Sequence, residues 1–212
     1  MSEMLTTVGD HLRDHFAGRG ILSPPEVASV TFLGVDRVDV LRFSPDPRPD
    51  VDGVFHNGVF HDGVFHYVSL GCSRYPMTDP AAAISDPLRG PRAEIVVSLR
   101  TGRQTSGLAR SIAVVASTPA VEGVVLAADS LVDLSEPLWA GAPFTAVLLG
   151  ESDIPDLPLE APRDPVQFFS AVPITQTEGA WVRLKGAEAM RQAWADDGVD
   201  VLDPLRRAAR PS

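Results

Sequence analysis

Apolar residues at Leu5, Val8, Leu12 and Phe16 keep the spacing of one helical face, so residues 3–17 are expected to form an amphipathic helix. Ser2 can cap its start, and Gly18 and Gly20 can end it. The pattern then changes period. Residues 27–33 and 38–43 are short, β-branched and apolar, and read as two strands joined around Gly34–Asp36. Residues 44–52, SPDPRPDVD, read as an exposed loop, because Pro and Asp cannot sustain a strand ladder. VFHYVSL (64–70) and AEIVVSL (93–99) are strand-like, with a Pro-, Gly- and Asp-rich loop over 71–91 between them. Leu108, Ile112 and Val115 predict a second helix over 105–117, stopped by Thr118–Pro119. Residues 123–134 can hold one or two extended pieces, 144–149 is a buried type of strand, and 151–165 is an acidic loop. QFFSAVPI (167–174) reads as a strand that ends at Pro173 or lies at a sheet edge. A last helix over 178–197 follows Thr177 as N-cap, with Trp181, Leu184, Met190 and Trp194 as its apolar side and Gly198 as its stop. Strict strand–helix alternation is absent, which favours an α+β fold over a doubly wound sheet. No linker divides the chain, so residues 1–212 are expected to form one domain.

One stretch departs from this ordinary patterning. GVFHN, GVFHD and GVFHY follow one another over residues 53–67. Asn57–Gly58 and Asp62–Gly63 are favourable two-residue hairpin turns. If both form, Phe55, Phe60 and Phe65 share a face across adjacent short strands. If the stretch is instead one long strand, the odd period puts His56 and His66 on one face and His61 on the other. Neither geometry converges three imidazoles, so no metal site is expected from them. His11 and His15 have a two-ligand spacing, but they lie off the apolar stripe without a third ligand and read as surface histidines.

Composition narrows the function. With 44% hydrophobic and 22% charged residues, 212 residues can bury a substantial core without staples. Cys72 is the only cysteine, so no internal disulfide can form. No apolar run is long enough to span a membrane, and the acidic, amphipathic start lacks the features of a signal peptide. A soluble, cytoplasmic protein is expected. The net charge of −10 disfavours nucleic acid and favours a basic partner. Lys185 is the only lysine, and the Ala, Val, Asp, Gly, Pro and Arg bias suggests a GC-rich bacterial genome.

Motifs for chemistry are missing. No phosphate-binding glycine loop, G-x-G-x-x-G, H-E-x-x-H or G-x-S-x-G occurs, so no cofactor, metal or catalytic residue is expected. Cys72 beside Ser73 raises a nucleophile, but no base is suitably placed in sequence, and a small buried cysteine is the simpler reading. The acidic residues single out no pair for acid–base work.

Several phrases together resemble the suppressor of fused family. VSLGCSRYPM (68–77) is similar to its strand followed by G-x-S-x-x-P-M, and RAEIVVSLR (92–100) to its R-A-E-L-x-x-x-L strand. DSLVDLSEPL (129–138) resembles a segment ending in P-L, and PFTAVLLG (143–150) a late strand. VQFFSAVPITQTE (166–178) resembles the P-L-T-x-x-E turn into the last helix, VLDPLRR (201–207) the closing V-x-D-x-x-R, and RVDVLRFSP (37–45) an early strand. The matches run in order over about 37–207. The resemblance implies a mixed or antiparallel sheet packed with about three helices, as in the N-terminal lobe of the animal protein. It also implies a non-enzymatic binding role: gripping a short extended peptide, as in animals, or neutralising a cognate toxin as a bacterial immunity protein. The sequence departs at Cys72, where Met or Leu is usual, and over 52–63, which is longer than expected. GVFHN and GVFHD are then surplus copies, a tolerated insertion or an exposed contact flap.

The expected partner is therefore a protein, either a basic toxin domain or a peptide segment, and neither nucleic acid nor membrane. A hydrolase using Cys72 or a carboxylate pair is the remaining alternative. Gly71, Ser73, Arg74, Pro76 and Met77 are contact candidates through the family motif, which a structural turn would equally explain. Asp153, Asp156 and Glu160 are contact candidates through their charge.

Overall fold

The structure, a computed structural model, describes residues 3–32, 34, 36–46, 63–78, 86–100 and 105–210. The proposed Phe55–Phe60–Phe65 ladder and most of the repeat lie outside these residues. Phe65 itself is fully buried in a strand that begins at Val64.

Among the described residues seven strands form one sheet: β1 (Glu26–Val30), β2 (Val38–Phe43), β3 (Val64–Leu70), β4 (Arg92–Arg100), β5 (Leu131–Asp133), β6 (Phe144–Glu151) and β7 (Val166–Thr175). Their order is β1-β2-β3-β4-β7-β6-β5, with β4 and β7 parallel and every other pair antiparallel. Among the described residues four α-helices pack on the sheet, where about three were expected: α1 (Glu3–Gly18), α2 (Leu108–Glu122), α3 (Gln176–Lys185) and α4 (Ala187–Asp196).

Strand alternation sorts the core into layers. Val40, Phe65, Tyr67, Ile95, Val97 and Leu99 pack with Leu108, Ile112 and Val115 of α2. Leu41, Phe43, Val68, Leu70 and Val96 pack instead with Leu5, Val8, Leu12 and Phe16 of α1. Ala146, Leu148 and Ile174 continue that second face under Val182 of α3 and Met190 and Trp194 of α4. The fold is thus α+β, with α2 on one face and α1, α3 and α4 on the other.

Several boundaries differ from the sequence expectation. α2 does not stop before Pro119 but carries it to Glu122. Pro119 lacks the N–H that would bond the Val115 carbonyl, and the Thr118 hydroxyl donates to that carbonyl at 2.8 Å instead. Gly123, at φ 68°, then ends the helix. Pro173 sits inside β7 opposite Val147, in a strand third from the sheet edge. It is tolerated because the pairing with β4 spans only Val166–Ser170, and the free carbonyl of Pro173 takes a hydrogen bond from Arg206 at 2.7 Å. The single last helix is two, broken at Gly186 with φ 89°. Its cap is Thr175 rather than Thr177, in a reciprocal capping box with Glu178. Leu184, expected on the apolar side, is 73% exposed. β1 also ends at Val30, short of the expected Leu33.

Candidate functional site

The ladder between β3 and β4 ends at Val68↔Val96. Beyond it, side chains replace backbone pairing. The Ser69 hydroxyl accepts from Ile95 N–H at 2.8 Å and donates to Glu94. Glu94, fully buried, also accepts from Gly71 N–H at 2.9 Å, Ser73 N–H at 3.1 Å and the Ser73 hydroxyl at 2.6 Å. Burial pushes the Glu94 carboxyl above the usual range, and these hydrogen bonds oppose that rise. They wind residues 72–74 into a 3-10 turn. Gly71 enters that turn at φ 148°, where a Cβ would lie 3.2 Å from the Arg37 carbonyl. From the other side, the buried Arg92 guanidinium donates to the carbonyls of Ser73 at 2.9 Å, Arg74 at 3.1 Å and Leu88 at 3.2 Å.

The turn so fixed forms one wall of an open cleft of about 360 Å³. Gly71, Arg74, Tyr75 and Pro76 line that wall. Gly34 and Asp36, between β1 and β2, form a second, and the C-terminal turn of α2, with Ala116, Pro119 and Ala120, a third. Tyr75 is 62% exposed. Arg74 faces Asp36 at 3.6 Å and donates to the Arg37 carbonyl at 3.3 Å.

The candidate contact residues therefore separate. Gly71, Arg74 and Pro76 reach the cleft. Ser73 does not; it is spent on Glu94. Met77 is buried, its sulfur accepting from Leu126 N–H at 3.3 Å. Asp153, Asp156 and Glu160 are exposed on a loop whose Ile154 and Leu157 pack into the α1-side core, across the sheet from α2. Asp153 pairs with Arg19, the residue that follows α1. The motif group and the acidic group thus belong to different surfaces.

Cys72 also lines the cleft. Burial and the neighbouring Glu94 push its thiol well up, the reverse of what activates a nucleophile. His11 and His15, expected as surface histidines, are half-buried. His11 Nε2 donates to the Pro155 carbonyl at 2.8 Å, and its ring stacks on Phe168. His15 keeps a buried Nε2 without a partner, and His66 bonds Ser98 at 2.8 Å against the Phe16 ring. Among the described residues, no group of three His, Cys, Asp or Glu side chains could hold a metal ion.

A second buried carboxylate lies across the molecule. Glu178 takes Arg206 at 2.7 Å, Trp194 Nε1 at 2.9 Å, Thr175 N–H at 2.9 Å and Ala209 N–H at 3.2 Å. Burial raises its carboxyl, but the Arg206, Thr175 and Trp194 donors outweigh that and hold it below the usual range. Neither Glu94 nor Glu178 was singled out from the sequence. Both stand inside the quoted family phrases, and Glu178 also completes the T-x-x-E spacing of a capping box with Thr175.

This α+β architecture, a mixed sheet between α2 and the other three helices, is shared with solved structures. A putative suppressor of fused homologue from Neisseria gonorrhoeae FA 1090 superposes with TM-score 0.63 at 17% identity, covering 97% of this chain and 96% of that one. A chain of a Sufu–Fu complex gives 0.61 at 15% identity, over 96% and 90%. Drosophila Suppressor of Fused gives 0.61 at 16% identity; this chain, covered over 96%, spans half of that protein. No curated protein matches by sequence. The family model described as suppressor of fused protein (SUFU) matches residues 34–207, and the chain belongs to that family. Among the described residues no helix is long and apolar enough to cross a membrane.

Proposed function

We propose that the chain is a non-enzymatic protein-binding domain that receives a partner segment in the cleft beside Arg74 and Tyr75. The observation that carries this reading is the cleft itself: about 360 Å³, open, with a 62% exposed Tyr75 and an Arg on a rigidly hydrogen-bonded turn. Tyr and Arg held on fixed backbone are the side chains that dominate protein interfaces. A structural relative forms the Sufu–Fu complex, which supports a protein as the ligand class. Gly71, Arg74 and Pro76 are the contacts retained from the family motif. Asp153, Asp156 and Glu160 act at a distance, steering a basic partner through the net charge of −10. The finer reading is an immunity protein that occludes a toxin domain in the cytoplasm, as a single domain without cofactor or nucleic acid. Co-purification with a toxin domain encoded beside its gene tests it. Tyr75→Ala with Arg74→Ala should weaken that complex at least about tenfold while leaving the melting temperature in place. No complex at micromolar concentrations would sink the immunity reading.

The sheet edge favours a second mode, strand addition. β1 is an outer strand, and its five residues are exposed or half-exposed, with Val27 at 59%. A peptide pairing along β1 would extend the sheet at an edge that carries no further strand among the described residues. Val27→Pro should abolish binding in that mode and leave cleft binding intact.

A further inference from the structure

The walls of the cleft are almost uncharged. Arg74 is the only cation and Asp36 the only carboxylate on its described lining. The Arg74 side chain is three-quarters buried, at 25% exposure, yet poorly satisfied. Its contact with Asp36 is long at 3.6 Å, its bond to the Arg37 carbonyl is 3.3 Å, and its Nε is buried without a partner. A guanidinium offers five donors in a planar fork that suits a carboxylate bound through both oxygens. Asp36 does not use that fork. It is 52% exposed and sits on the connection between β1 and β2. Meanwhile Arg92 holds the Arg74 carbonyl and Glu94 the neighbouring Ser73 N–H, so little of the turn is left to order on binding.

We infer that Arg74 receives a carboxylate from the partner segment, which displaces Asp36 from the guanidinium. This deepens the cleft reading and rests on it. The net charge of −10 repels a run of acids, so the segment carries one carboxylate among neutral or basic residues. That group is an Asp or Glu side chain or a free chain terminus. Tyr75 and Pro76 beside it supply apolar surface for the flanking residues.

The test is selection of random peptides on the full chain, with free and with blocked C-termini, followed by affinity measurements on variants. Selected peptides should carry one acidic residue at a fixed position, or require a free terminus. Arg74→Gln should weaken them at least about tenfold. Arg74→Lys should restore part of that loss, and Asp36→Asn should tighten binding by removing the competing carboxylate. Opposite signs at Arg74 and Asp36 are what a merely structural ion pair would not give. Ala120→Trp, which fills the cleft from α2, should abolish binding. Peptides that are lost with Ala120→Trp but lack a carboxylate, or ignore Arg74→Gln, would overturn the inference and leave the cleft as a binding site. Peptides indifferent to Ala120→Trp, or no bound peptides at all, would remove the cleft reading, and the inference with it. Should Arg74→Gln fail to fold, loosened or unchanged binding in Asp36→Asn overturns the inference by itself.

Discussion

Glu94 decides the shape of the turn that presents Arg74 and Tyr75. Its two oxygens gather two backbone N–H groups and two hydroxyls from residues 69–73. Glutamine at this position would turn an amide nitrogen toward donors, leaving at least one of them buried and unpaired. Glu94→Gln should cost about 2–4 kcal/mol in urea unfolding, from one or two lost buried hydrogen bonds. Hydrogen exchange at Gly71 and Ser73 should rise while the β4 amides stay protected; uniform loss of protection would show that the carboxylate does not act on the turn. The same residues mark a boundary of sequence reading. Gly71, Ser73, Arg74, Pro76 and Met77 look alike as letters of one motif. Only the partner 21 positions away along the chain tells Ser73, which is spent on Glu94, from Arg74, which faces the cleft.

At the scale of elements, α1 was legible down to its apolar stripe, because helical periodicity is local. What it rests on was not. His11, His15 and His66 meet at its contact with β3 and the 152–157 loop, flanked by Arg19, Asp153, Phe16 and Ser98. Burial lowers His66 to about 4, with Asp153 opposing and Arg19 and His15 reinforcing the shift. A histidine depressed in the folded state binds its proton more readily when unfolded. Its neutral form therefore supports folding above the ordinary value near 6.5, and stability is lost as pH falls from there toward 4. Between neutrality and pH 5 the loss from His66 should be about 2 kcal/mol. Urea unfolding across that range should show it, and His66→Gln should flatten the slope; an unchanged slope would remove His66 as its source. α2 teaches the converse lesson. Pro119 is expected to stop the helix and does not, because the Thr118 hydroxyl takes up the Val115 carbonyl that Pro119 has no N–H to reach. A local rule failed through an equally local compensation.

Across the whole molecule, the Glu178–Arg206 pair closes the fold. Arg206 joins the C-terminal segment to β7 through the Pro173 carbonyl, to α3 through Glu178, and lies over the Phe144 and Trp194 rings. Arg206→Met should cost about 3–5 kcal/mol, since it strands a buried carboxylate. Adding Glu178→Leu should recover part of that loss in the same unfolding measurement; a single variant as stable as the parent would contradict the role given to the pair. The two family phrases that end in Glu178 and Arg206 are thus two halves of one contact, 28 residues apart in sequence. The phrases holding Gly71–Ser73 and Glu94 are two halves of another. The sequence by itself determined the strand and helix periods, the charge, the α+β class and the family resemblance. Each of these depends on neighbouring residues or on ordered phrases. Tertiary structure alone decided the parallel meeting of β4 and β7, the partners of the two buried carboxylates, and the separation of the cleft from the acidic loop. Those depend on groups far apart in the chain, which come within hydrogen-bond distance only when the sheet has assembled and excluded water around them.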